Sequence, residues 1–169
     1  MMFIEMKVAG ITMDPFSNTP IVILKDLQGK TALPIWIGIL EASAIATELG
    51  DVKPPRPMTH DLLKNILENL NATVTKIEVT DLKDNTFFAS ICLSLLDKSF
   101  SIDARPSDAI ALALRTNSPI YVNEKVVENS RAVNLGKEEK LLNEATNEEQ
   151  KWQEILENLS PDDFGKYKM

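Results

Sequence analysis

Cysteine and histidine each occur once in the 169 residues, and those two shortages remove many of the metal and nucleophile chemistries the chain could carry. A lone Cys92 permits no intrachain disulfide and no cysteine-based metal cluster, and its apolar surroundings read as core. A lone His60 excludes triads that need a second imidazole and zinc sites built from several histidines. No apolar run approaches membrane-spanning length, and the start, MMFIEMKVAG, lacks a basic segment followed by a long apolar one. A cytoplasmic protein with no membrane partner is therefore expected. Aromatics make up only 6%, and Trp36 and Phe87-Phe88 read as core rather than as base-stacking platforms. Phosphate-binding loops, G-x-G-x-x-G, CxxC and nucleophile-elbow patterns are all absent.

Positive charge is also short. The formal balance of -7 argues against a broad phosphate-binding surface. The deficit is uneven: residues 1–122 hold 11 Lys and Arg against 14 Asp and Glu, whereas residues 123–169 hold 7 against 11. A local basic groove in the first part stays open. Residues 1–130 read as one compact α+β domain, and 131–169 as an acidic, mainly helical extension.

What is present is organised around Ser101 to Asn117, SIDARPSDAIALALRTN. A short strand turns at Arg105-Pro106 into a helix that is apolar on every side, hence buried. Ahead of it, strands are expected over Phe3 to Met13, Pro20 to Leu27 and Ala32 to Ile37. A helix from Gly38 to Leu49 follows, then a connector stiffened by Pro54, Pro55 and Pro57. Thr59 is the expected N-cap of a helix to Asn71 with one apolar face. Two long strands, Thr73 to Asp81 and Thr86 to Leu96, lead to the central stretch, and Pro119 to Val122 is a last strand. In the tail, Glu148 to Leu159 reads as an amphipathic helix, with Trp152 a packing or dimer anchor.

Shifting the chain by 67 places Ile35 on Ile102, Ala42 on Ala109, Ala44 on Ala111 and Ala46 on Ala113, with Glu41 on Asp108. We read this as a duplicated β-β-β-α unit forming a mostly antiparallel sheet with helices packed against it. Glu41 and Asp108 then occupy equivalent first-turn positions. Either they cap helices and answer the helix dipole, or with Asp103 they hold Mg²⁺ or Mn²⁺ for water activation and phosphoryl displacement. His60 beside Asp61 stands at a helix start, as a general acid or base or as plain surface. Arg56 and Arg105, with Ser107, could grip a phosphate; equally, Arg105 could neutralise Asp103 or Asp108.

TPIVIL (19–24), LPIWIG (33–38), Glu41-Ala42, RPMTHD (56–61), DNTFFA (84–89) and DARPSDAIALA (103–113) occur in that order. Together they closely resemble the bifunctional nuclease domain family over about residues 5–130. The resemblance implies an α+β domain, often oligomeric, with a dimer favoured, in a family some of whose members cleave both RNA and DNA. Its recurring polar positions match Glu41, Arg56, Thr59, His60, Asp61, Asp103, Arg105, Ser107 and Asp108 without assigning roles. Many bacterial members add a C-terminal helical-hairpin module, and the tail is a remnant of one or an oligomerisation arm. Two functions follow. One is a nuclease in which Asp103, Asp108 and Glu41 hold the ion, His60 and Asp61 handle protons, and Arg56 and Arg105 bind phosphate. The other is a non-catalytic regulatory or ligand-binding oligomer.

Overall fold

A computed structural model describes residues 2–130. The strands are β1 (Phe3–Met13), β2 (Pro20–Asp26), β3 (Ala32–Trp36), β4 (Thr73–Lys83), β5 (Thr86–Leu95), β6 (Lys98–Ala104) and β7 (Ile120–Asn123). The helices are α1 (Ile39–Leu49), α2 (Thr59–Asn69), α3 (Pro106–Thr116) and α4 (Glu124–Asn129). All seven strands form one sheet in the order β3-β2-β1-β7-β4-β5-β6. Only β4 and β7 run parallel; the other pairings are antiparallel. The fold is α+β. Each half contributes β-β-β-α, on either side of β7.

Local chemistry explains the hairpins. Asp84 and Asn85 both adopt positive φ (49° and 60°), as a two-residue loop between twisted strands requires, and Asp and Asn accept that conformation at least cost. Leu96 and Asp97 do the same between β5 and β6 (49° and 61°), with Leu96 a less natural occupant. Alternation along β5 and β6 sets the faces. Ile102 and Ala104 stand opposite Ile91 and Ala89, both buried, so Asp103 projects to the other side of β6.

The core lies between the sheet and helices α1 and α3, which also pack against each other. Ala42 and Ala46 on α1, and Ala109, Ala111 and Ala113 on α3, are buried small residues, which suits closely approaching helices. Ile110 and Leu112 are fully buried, as expected for a helix apolar all round. Burying aliphatic side chains of this size stabilises by about 1.5–3 kcal/mol each.

The structure departs from the sequence reading in four places. Met58, not Thr59, is the N-cap of α2. No residue of α2 is fully buried: it packs on α3 and leaves Leu62, Ile66 and Leu70 about half exposed or more. The strand expected over Ser101 to Asp103 runs from Lys98 to Ala104, because pairing with β5 holds its polar start. The short helix α4, capped by the Asn123 side chain on the Lys125 N–H, was not expected. The tail helix over Glu148 to Leu159 lies outside the described residues.

Candidate functional site

Three helices begin near one another, and each has an acid at its third position: Glu41 on α1, Asp61 on α2 and Asp108 on α3. Acids belong there because they oppose the positive end of the helix dipole. The α1–α3 and α2–α3 contacts bring the three starts within reach of shared partners.

Arg105, the N-cap of α3, is the first of those partners. Its Nε donates to Asp108 Oδ2 (2.8 Å), three residues on, and its Nη1 to Glu41 Oε1 (2.9 Å), 64 residues back, so one guanidinium joins acids of two helices. On its other oxygen, Asp108 meets His60 Nε2 at 2.9 Å. The result is a continuous chain, Glu41–Arg105–Asp108–His60. The Arg105 side chain is 66% exposed, and its remaining nitrogen, Nη2, has no partner among the described residues. Burial pushes the Asp108 carboxyl up, but hydrogen bonds and charge from Arg105 and His60 outweigh it and hold the group below the ordinary 3.8.

Asp61 belongs to a separate arrangement. Its Oδ2 accepts the Met58 N–H (2.9 Å) and its Oδ1 accepts Arg115 Nε (2.7 Å). Arg115 is buried, and its other nitrogens donate to the carbonyls of Ala111 and Ala44. One guanidinium thus ties α1, α2 and α3 together. Asp61 is spent on that tie and makes no hydrogen bond to His60.

Of the other expected residues, Ser107 is 6% exposed and lines a cavity of about 270 Å³ with Gly38, Glu41, Thr86 and Arg105. Asp103 is exposed on β6 and has no side-chain partner among the described residues. Arg56 is exposed in the proline-rich connector, also without a partner there. The structure therefore brings together Glu41, Arg105, Asp108, His60 and Ser107, and leaves Asp61, Asp103 and Arg56 apart from that chain.

The expected Mg²⁺ or Mn²⁺ donor set does not fit this arrangement. Glu41 and Asp108 are both engaged by Arg105, a cation standing where an ion would have to go, and Asp103 is not joined to them. Among the described residues no cluster of three or more His, Cys, Asp or Glu is arranged to hold a metal. Among those residues, too, no helix is long and apolar enough to cross a membrane.

Comparison with known proteins places these residues. The model of the bifunctional nuclease domain matches residues 22–134, which include every residue of the ionic chain. The chain belongs to the bifunctional nuclease domain family. An uncharacterised protein of Mycobacterium tuberculosis is 38% identical over 162 residues, covering 95% of this chain and 97% of its own. Bifunctional nuclease 2 of Arabidopsis thaliana is 31% identical over 123 residues, 69% of this chain but 37% of that protein. Bifunctional nuclease 1 of indica rice, Oryza sativa, is 26% identical over 113 residues, 64% of this chain and 34% of its own. The likeness to the plant nucleases is thus confined to about a third of their length.

Within this family domain, sequence reasoning missed two side chains. Trp36 ends edge strand β3 and is 52% exposed, with its indole N–H fixed on Asp14 Oδ2 at 2.9 Å. Arg115 was hidden in an apolar helix. Gly38 also has a local reason. It caps α1, and a Cβ on it would overlap the Glu41 carboxylate. Gly38→Ala is expected to push Glu41 off Arg105 at a small cost, since Arg105 is exposed and water replaces its lost partner. In a Glu41→Ala background the same change should cost less, which a urea-unfolding double-mutant cycle reads. Equal costs in both backgrounds would place the effect in the backbone.

Proposed function

We propose that this chain cleaves phosphodiester bonds of RNA or DNA at the start of α3. Family membership supports the reaction class, and one observation carries the reading: the Glu41–Arg105–Asp108–His60 chain, whose Glu41 and Arg105 line a cavity at two helix starts while Asp108 and His60 stand behind Arg105. His60 is the proton-handling group. With Nε2–H held by Asp108, Nδ1 carries the lone pair that accepts a proton from the attacking oxygen. Asp108 orients the ring and stabilises its protonated form, as the carboxylate does in other acid–histidine pairs. Arg105 presents the free end of its guanidinium to the phosphate, where a planar donor suits the oxygens in charge and shape. Glu41 holds the other end of Arg105 in place. Arg56 lies further out and contacts flanking phosphates. No step is routed through a metal ion.

A second reading, a non-catalytic regulatory or ligand-binding oligomer, is favoured by the exposed apolar residues of α2, a surface suited to a partner. Purified protein on labelled RNA and single-stranded DNA, with Mg²⁺, with Mn²⁺ and with EDTA, beside Asp108→Ala, separates the two. Cleavage that survives EDTA and falls roughly tenfold or more in the variant supports the first reading. Equal trace activity in both proteins points to a contaminant and sinks it.

A further inference from the structure

A second, larger cavity of about 630 Å³ adjoins the small one at the helix starts, and the two share Trp36, Asn85 and Phe87. Their chemistry differs. The larger has Pro34, Trp36, Leu82 and Phe87 on one side and Asn85 and Asn129 on another, apolar faces with polar edges such as a base presents. The small one carries both charges, Arg105 and Glu41, and lies at the start of α3, whose N-cap supplies no capping side chain and whose first residue, Pro106, has no N–H to offer. The independent sign is Ser107: it is 94% buried against this cavity, and its hydroxyl has no hydrogen-bond partner among the described residues. A buried hydroxyl is normally satisfied, and a phosphate oxygen would satisfy this one.

Trp36 joins the two. Its ring is half exposed, and its N–H is already held by Asp14, so a base stacking on it meets a surface that gives up little rotamer freedom. We propose that the paired cavities form a one-nucleotide subsite. The phosphate sits against Ser107 and Arg105 at the start of α3, on the side away from Glu41, and its unpaired base stacks on Trp36. A base inside a duplex has both faces covered by its neighbours and cannot reach the indole without leaving the stack. The chain therefore selects single-stranded nucleic acid. This rests on the phosphodiester reading above and adds strand selection to it.

The charge distribution sharpens the expectation. Arg105 is the only Lys or Arg in the walls of either cavity among the described residues, on a chain of net charge -7. Release of counterions can then contribute little, and stacking carries most of the affinity.

The test uses the full chain carrying His60→Ala, so that the strand stays uncut, and Trp152→Phe, so that Trp36 is the one remaining tryptophan. Short oligothymidylate is titrated against its emission. Quenching is expected with the single strand and not with a duplex or an abasic strand of equal length. Trp36→Leu should weaken binding, read by anisotropy of a labelled strand, by on the order of tenfold, and Trp36→Phe should keep most of it. The logarithmic salt slope should be shallow, about -0.7 for one phosphate. Duplex or abasic strands binding as well as oligothymidylate, or unchanged affinity in Trp36→Leu, overturns the subsite. Failure of the two readings is distinguishable. Quenching without cleavage by the unaltered chain removes the nuclease reading alone, and cleavage without quenching removes the subsite alone.

Discussion

His60→Ala is expected to lower phosphodiester cleavage by about a hundredfold or more, because general acid–base groups contribute 10²–10⁴ in rate. His60 is the one histidine of the chain, so no second imidazole is at hand to take over. The loss should fall on kcat with KM little changed, since proton transfer counts in the transition state and not in binding. Folding should persist: His60 contributes a single partly exposed pair with Asp108, worth about 1 kcal/mol or less. His60→Gln separates chemistry from position. Its amide can still donate to Asp108 but cannot accept and release a proton, so it should be as slow as the alanine variant. A glutamine variant that retained a third or more of the activity would falsify the proton-handling role and leave His60 a spacer between α2 and α3.

The elements were legible because their signals are local. Alternation in β1 and β4, turn chemistry at Asp84-Asn85, and the proline that starts α3 each act within a few residues. The α+β class followed from their order, and Glu41 and Asp108 stood out as acids in the first turns of two helices. Long-range partner choice was not legible. The pairing of Arg105 with Asp108, three residues on, was among the expected ones, but nothing local tells Arg105 to reach Glu41 across 64 residues, or Arg115 to reach Asp61 across 54; helix packing decides it. Asp103 misled for the opposite reason. It stands five residues before Asp108, yet strand alternation puts it on the face of β6 opposite the one that continues the buried Ile91 and Ala89 of β5. Trp36 read as core because LPIWIG looks like any buried strand. Only the sheet order, with β3 at an edge, shows why its ring stays accessible.

Asp61→Ala is expected to cost about 3 kcal/mol of unfolding free energy, far more than breaking either pair made by Arg105. The difference lies in burial. The Arg115 side chain is 4% exposed, and removing its carboxylate strands a guanidinium among apolar helices with only two backbone carbonyls left to it. Arg105 is 66% exposed, so water replaces its lost partners and breaking either pair costs little. Replacing Arg115 as well should recover much of the loss, because an apolar side chain of similar reach, as in Asp61→Ala/Arg115→Met, leaves no buried charge to satisfy. The pH dependence has a definite sign. Burial raises the Asp61 carboxyl, but hydrogen bonds from Arg115 and Met58, with the charges of Arg115 and His60, hold it below 3.8. Stability from Asp61 is therefore complete above pH 3.8 and is lost as pH falls below that value and through the folded one. Urea unfolding of the unaltered chain should weaken over that acid window by more than unfolding of the double variant does. If the two curves run parallel through it, or if Asp61→Ala unfolds like Glu41→Ala, then Arg115 is not the fastening that holds the three helix starts together.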